Sequence, residues 1–298
     1  MPTTSKSVVI TGGSSGIGRA CVLRMSQAGW RVFATVRKPA DAERLLAESK
    51  QGVMPILMDV EDGPSITAAA SQVASQCDAG LHALVNVAGI GMLQPIEYAS
   101  RRDLQKIFDI NFFGQVDVTQ AFLPLLRIAH GRIVNITSVG AHIAIPFGGL
   151  LNASKSAFGI LSDTLRLELR PFGIRVIIVE PGAIATPAVE KTLGNVEGGI
   201  AQLPEKGRMQ YGDMLRAVAR RGYQREMNGS PPDIVARAVH NALTAARPKI
   251  RYRVGKDARF LATLPRILPD SLLDALRLRA LGLPVKFGVL ADPGAKSI

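Results

Sequence analysis

The run Thr11-Gly12-Gly13-Ser14-Ser15-Gly16-Ile17-Gly18 follows a short apolar stretch and passes directly into a helix-length pattern. Glycine has a mechanical reason at three of these places. Gly12 permits a tight turn, Gly16 lets the backbone approach a pyrophosphate, and Gly18 lets the helix pack close to the strand. Unpaired N–H groups and the positive end of the helix dipole then face the anion. A glycine-rich turn without a ligand is the bland alternative, and the setting between strand and helix favours a dinucleotide. The next apolar run ends Ala34-Thr35-Val36-Arg37-Lys38, with no acid to hold a free ribose 2′-hydroxyl. A guanidinium there matches a 2′-phosphate, so the sequence predicts NADP in preference to NAD.

Such a turn needs strands and helices in alternation to hold it. Apolar runs of strand length occupy 7–10, 31–36, 53–58, 81–87, 132–137 and 175–179. Helical patterns fall at 16–28, 41–48, 64–76, 102–128, 152–169 and 232–245, with a kink expected at Pro124. Strands apolar at almost every position require helices on both faces of the sheet. The pattern therefore predicts a doubly wound α/β (Rossmann) fold with a parallel sheet and right-handed crossovers. Periodicity weakens over 183–230, which reads as a mobile lid rather than a sheet layer. A single domain is expected, residues 1–250 including that lid, carrying a basic amphipathic helical extension over 251–298.

Composition excludes several classes. With 47% hydrophobic residues in 298, the chain can bury a full core and is not a disordered protein. The formal charge is +12, and half of that excess lies between Lys249 and Lys286, where nine basic residues face three acidic ones. Residues 259–283 mix Phe260, Leu261, Leu264 and Ile267 with Arg266, Arg277 and Arg279. A tail of this kind can lie on an anionic membrane as a peripheral contact, cover a substrate mouth, or pack in a dimer. Nucleic acid is excluded as a partner, because prolines interrupt the basic residues and no aromatic platform accompanies them. The first six residues lack a secretory pattern, and no run approaches the roughly 20 apolar residues of a membrane helix. Cys21 and Cys77 are too few for a metal cluster and read as buried thiols, so a cytoplasmic protein without a metal site is expected.

Further motifs follow in order: Asp59-Val60, Asn86-Val87-Ala88-Gly89, Asn111, Ser138, Ala153-Ser154-Lys155, and Pro181-Gly182 with Thr186. With the glycine turn, they resemble the short-chain dehydrogenase/reductase family over most of the chain. The segments Ala121-Phe122-Leu123-Pro124, Ser138-Val139-Gly140, Pro146-Phe147 and Pro171-Phe172-Gly173 are most similar to its 17β-hydroxysteroid and retinol dehydrogenase-like members. The resemblance implies NADP-linked interconversion of an alcohol and a ketone on a bulky apolar small molecule. It also implies Gly12, Gly16, Ile17 and Gly18 at the pyrophosphate, and Ser14 with Arg37 at the 2′-phosphate. Asp59 and Val60 belong by the adenine, with Asn86, Ala88, Gly89, Lys155, Pro181, Gly182 and Thr186 along the rest of the cofactor. Ser138, Lys155 and Asn111 are the implied catalytic residues. A homodimer or homotetramer, paired through 102–128 and 152–169, is expected on the same ground.

One position departs from the family pattern. A tyrosine stands there four residues before the lysine and thirteen after the serine, and this chain has Leu151. In the family the tyrosine hydroxyl is the general acid for the carbonyl oxygen, its pKa lowered by the lysine ammonium. Leucine can neither give nor take a proton. A positioned acid is typically worth ~10² to 10⁴ in rate, or roughly 3 to 5 kcal/mol of barrier. Three readings stay open: a dehydrogenase whose acid has been replaced, by nature or by engineering; an NADP-bound enzyme whose chemistry needs no hydroxyl, such as imine reduction, cyclisation or isomerisation; and a non-catalytic NADP-binding protein. Ser138 can still polarise an oxygen, and a water directed by Lys155 can still carry a proton. His142, Tyr98, Tyr211 and Tyr223 read as loop or pocket-wall residues rather than a substitute acid. The expected lining is apolar and includes Met92, Leu93, Ile143, Ile145, Phe147, Leu150, Met209 and Met214.

Overall fold

Strands whose residues are apolar on both sides can be buried only between two layers of helices, and that arrangement is found in the computed structural model, which describes residues 5–49 and 51–286. Seven parallel strands form one sheet: β1 Ser7–Ile10, β2 Arg31–Val36, β3 Val53–Leu57, β4 Ala83–Asn86, β5 Arg132–Ile136, β6 Arg175–Pro181 and β7 Arg251–Val254. Their order is β3-β2-β1-β4-β5-β6-β7. The helices are α1 Gly16–Gln27, α2 Pro39–Glu48, α3 Gly63–Ala74, α4 Arg101–Phe108, α5 Gly114–Ile128, α6 Gly149–Glu168, α7 Pro187–Val189, α8 Val196–Ala201, α9 Glu205–Met227, α10 Asp233–Thr244, α11 Ala258–Thr263 and α12 Asp270–Leu281. The chain winds outward from β1 to β3, then returns to β4 on the other side of β1. That reversal opens a crevice at the carboxyl ends of β1 and β4.

Alternate residues of each strand feed the two cores. Val8, Ile10, Val32 and Ala34 meet Cys21, Val22 and Met25 of α1 and Val235, Val239 and Leu243 of α10. Val9, Phe33, Leu84 and Ile133 meet Ile66 and Val73 of α3 and Phe122 and Leu126 of α5. The period-two alternation of a strand is thus matched by one apolar stripe per helix.

Four sequence expectations change. The helix expected over 102–128 divides into α4 and α5, and α5 runs through Pro124. The irregularity lies upstream, where a wide π turn at Asp109–Phe113 joins α4 to α5. Residues 183–230 are helical rather than loose, and α9 alone has 23 residues. Its buried positions include Gly207, Gly212 and Ala219, so small residues conceal the apolar period. Residues 251–254, expected to open a helical extension, instead form β7 beside β6. The remaining extension breaks into α11, a short turn at Leu264–Arg266 and α12, because Pro265 and Pro269 deny one continuous helix. Residues 287–298 of that extension lie outside the described residues.

β7 is Arg-Tyr-Arg-Val, and its arginines explain why it reads poorly as a strand. Arg251 and Arg253 both reach Glu180 of β6, which is fully buried; the Arg253–Glu180 distance is 3.2 Å. His142 Nε2 lies 2.7 Å from the same carboxylate, and Arg251 also pairs with Asp163 of α6 at 2.6 Å. Burial alone would raise the Glu180 carboxyl, but His142 and Arg251 outweigh it and hold the group below its usual range. Its stabilisation is therefore complete above the ordinary glutamate range and is lost as pH falls through the lower folded value. Glu180→Gln, which leaves two arginines short of a counter-charge, should cost about 3 kcal/mol in urea unfolding at neutral pH. The gap to the parent should narrow on acidification; a gap indifferent to pH would show that the carboxylate charge plays no part.

Candidate active site

The glycine turn is locked to the turn that follows β4. Thr11 Oγ1 accepts from the N–H groups of Val87 and Ala88 at 2.8 and 3.0 Å. Gly12 and Gly16 have φ of +65° and +53°, a region that other residues enter at a cost. A Cβ on Gly18 would sit 2.1 Å from the Gly12 carbonyl oxygen, so only hydrogen fits. α1 starts after Ser15, whose side chain caps nothing, and no acid stands in its first turn. The first N–H groups of α1 therefore remain for an anion, and the residues present fit a dinucleotide diphosphate. Thr186 closes the opposite side, its Cβ 3.3 Å from where a Gly16 Cβ would lie.

The other sequence-derived cofactor residues divide by what their side chains touch. Arg37 is exposed just beyond β2, and Ser14 is partly buried in the turn. Arg44 of α2, which sequence reasoning missed, reaches the Ser14 carbonyl at 3.3 Å while pairing with Asp41 at 2.7 Å. Its only signal was a basic residue on the helix following Arg37. Asp59 accepts from Glu61 N–H at 3.2 Å and shapes the turn after β3, while Val60 and Ile17 pack into the cores and can offer only backbone. The Asn86 amide is buried and donates to Thr119 Oγ1 at 3.0 Å and Asn135 Oδ1 at 2.9 Å, so its side chain braces β4 against α5 and β5.

Two of the implied catalytic residues, Asn111 and Lys155, converge on the turn after β4. The π turn carries Asn111 inward, where its amide bonds Ile90 through both N–H (2.9 Å) and C=O (3.0 Å) and donates to Ser154 Oγ at 3.0 Å. Lys155 is buried, and its Nζ donates to the Ile136 carbonyl at 3.1 Å. Asn111 Oδ1 and Lys155 Nζ lie 3.1 and 3.3 Å from the position a Gly89 Cβ would take. Ser138 caps the 3-10 turn Val139–His142 by accepting from Gly140 N–H at 3.0 Å, which leaves its hydroxyl hydrogen free to donate. Leu151 lies in the first turn of α6, on the same face as Lys155 one turn later, and offers polarity only through its carbonyl, which accepts from Ser154 Oγ at 2.8 Å. Burial pushes the Lys155 ammonium down to about 8.

Each group that might replace an acid at Leu151 has another engagement. His142 pairs with Glu180, Tyr98 donates to Gln210 at 2.8 Å, and Tyr211 donates to Glu97 at 2.6 Å. Glu190 beside Tyr223 raises its phenol. The cover over the site is apolar: Ile200, Leu203 and Leu215 pack with Leu93, Tyr98, Phe147 and Tyr211, the Tyr211 ring meeting Tyr98 and Phe147 edge-on, each at 5.9 Å. Of the other expected lining residues, Met209 faces solvent and Leu150 is fully buried, so neither belongs to an open wall.

The loop after β6 is fastened by acids that the sequence did not single out. Asp257 accepts from Ala183 N–H at 3.2 Å and Glu226 from Ile184 N–H at 3.1 Å. Ser230 adds backbone bonds to Ala183 and Ala185. A Cβ on Gly182 would strike the Asp257 carboxylate at 2.1 Å.

The family model described as short chain dehydrogenase matches residues 6–196. Retinol dehydrogenase 5 of Homo sapiens is 39% identical over 286 residues, covering 93% of this chain and 89% of that protein. 17-beta-hydroxysteroid dehydrogenase type 6 of Rattus norvegicus is 34% identical over 279 residues, covering 91% and 87%. Among solved structures, a short-chain dehydrogenase from Streptomyces avermitilis superposes with a TM-score of 0.73 at 28% identity, covering 93% of this chain and 94% of that one.

The glycine geometry separates two substitutions that look alike on paper. Gly18→Ala drives a methyl into backbone and should lower the thermal midpoint and abolish binding of pyridine nucleotides. Gly159→Ala, in a helix interior with nothing within 4 Å, should stabilise by about 0.5 to 1 kcal/mol. Equal effects of the two in thermal unfolding would refute the packing described for the turn.

Proposed function

This chain belongs to the short-chain dehydrogenase family, and we propose that it is an NADP(H)-linked oxidoreductase interconverting an alcohol and a ketone on a bulky apolar substrate, with Leu151 where a proton-donating tyrosine would stand. The observation that carries this reading is the convergence of the Lys155 ammonium and the Asn111 amide on Gly89, a turn that Thr11 ties to the uncapped end of α1. The apolar cover of Leu93, Phe147 and Tyr211 supports a greasy substrate, as do the retinol and hydroxysteroid dehydrogenases among the relatives.

The N–H groups of α1 would hold the diphosphate, and Ser14 and Arg37, with Arg44 behind them, the 2′-phosphate. Lys155 and Thr186 would take the nicotinamide end. The bound cofactor supplies or accepts the hydride. Ser138 donates its free hydroxyl hydrogen to the substrate oxygen and polarises it. Leu151 contributes no proton, so the proton must come from Lys155 through water. Ketone reduction should then run slower by the ~10² to 10⁴ that a positioned acid supplies. A second reading, reduction of an already protonated imine, is favoured by the same leucine, because that reaction needs no acid at position 151.

NADPH consumption on steroid, retinoid and imine panels tests both. Leu151→Tyr should raise ketone reduction by ~10² to 10⁴ and leave imine turnover unchanged. Turnover of imines alone by the parent would favour the second reading, and NADPH binding without turnover by either protein would mark a non-catalytic role. In the parent, ketone reduction should decline as pH rises through about 8, where Lys155 loses its proton. A profile flat across that range would remove Lys155 as the source. Arg37→Asp should weaken NADP binding by roughly ten-fold or more, with NAD binding spared; equal losses for both would deny Arg37 a place at the 2′-phosphate.

A further inference from the structure

Away from the site, α11, the connection after it and α12 expose apolar side chains that neither core uses. Phe260, Ile267, Leu272 and Leu276 are 64%, 69%, 47% and 43% exposed. Leu272 and Leu276 are one turn apart on α12 and share its face. Arg259 and Arg266 adjoin Phe260 and Ile267 in the chain, and Lys256, Arg279 and Lys286 are also exposed. The exposed acids of the same stretch are Asp270 and Asp274, and Asp274 is paired with Arg277 at 3.2 Å. Among the described residues no helix is long and apolar enough to cross a membrane.

A greasy surface with a cationic border matches the boundary layer of an anionic bilayer. The apolar side chains enter below the headgroups while the guanidinium and ammonium groups stay with the phosphates. A second copy of the chain fits less well, because a two-fold contact would set this positive border against itself. We propose that the α11–α12 face docks on anionic lipid bilayers. α12 packs against the carboxyl-terminal half of α9, where the Arg221 guanidinium lies against Gly282. This inference does not rest on the chemistry proposed above.

Co-sedimentation with vesicles of phosphatidylcholine alone, and of phosphatidylcholine mixed with phosphatidylglycerol, tests it. The full chain should pellet with the mixed vesicles only and be released by raised ionic strength. Arg259→Gln with Arg266→Gln should weaken binding about five-fold per charge removed. Phe260→Ser with Ile267→Ser should weaken it through lost insertion, and Ile160→Ser, on the exposed face of α6, should leave it unchanged. All of these positions are at the surface, and an unaltered thermal midpoint identifies folded variants. Absence of vesicle binding, equal binding to both compositions, or undiminished binding by both double variants would overturn the proposal. A serine double variant that changes sedimentation coefficient but still binds vesicles would overturn it too and assign those side chains to self-association.

Discussion

The uncapped amino end of α1 constrains much of what surrounds it. Its first N–H groups have no intrahelical partners, Ser15 supplies no side-chain acceptor, and the first turn has no carboxylate. A helix end left this way at the reversal of a parallel sheet is stable only if water or an anion satisfies it. Its neighbours are fitted to that purpose. Gly18 has no room for a methyl, Thr11 fastens the adjoining turn, and Thr186 closes the far side. None of these would be required if the turn merely linked a strand to a helix.

Beneath that end runs a buried polar layer that a sheet core does not need for stability. Asn86 bonds Thr119 and Asn135, Asn135 bonds Ser162, and Asn111 bonds Ser154 and Ile90. Lys155 is the costly member. Keeping an ammonium where burial brings its pKa to about 8 costs roughly 3 kcal/mol relative to water. Its one hydrogen bond, to the Ile136 carbonyl, returns only part of that. A buried lysine beside a crevice with so little local compensation points to a role toward a ligand rather than in holding the fold.

How much of this was legible in the sequence depended on the distance over which each signal acts. The glycine turn was readable because the reasons for Gly12, Gly16 and Gly18 are local, and the first six strands because burial on both faces writes itself into unbroken apolar runs. β7 was missed because its partner for Arg251 and Arg253 is Glu180, 71 and 73 positions away, and an alternation of arginine with apolar residues looks like a surface tail until that carboxylate is in place. α9 was missed for another reason: it buries glycine and alanine, so the spacing was present without the hydrophobicity that reveals it. The π turn left no trace in composition.

The leucine at position 151 can be understood in the same physical terms. The first turn of α6 needs a helix former whose side chain tolerates partial burial, and leucine meets both requirements at least as well as tyrosine. Nothing in the local hydrogen bonding depends on a hydroxyl there: Ser154 uses the Leu151 carbonyl, and Lys155 uses Ile136. The hydrogen bonds of the surrounding polar residues are therefore complete without any polar group in the side chain at this position. The same does not hold for Asn111, whose amide bonds the Ile90 backbone, or for Glu180, whose carboxylate pairs with His142, Arg251 and Arg253. A position can change its side-chain chemistry without a structural consequence only where the backbone makes no use of that side chain, and Leu151 meets that condition.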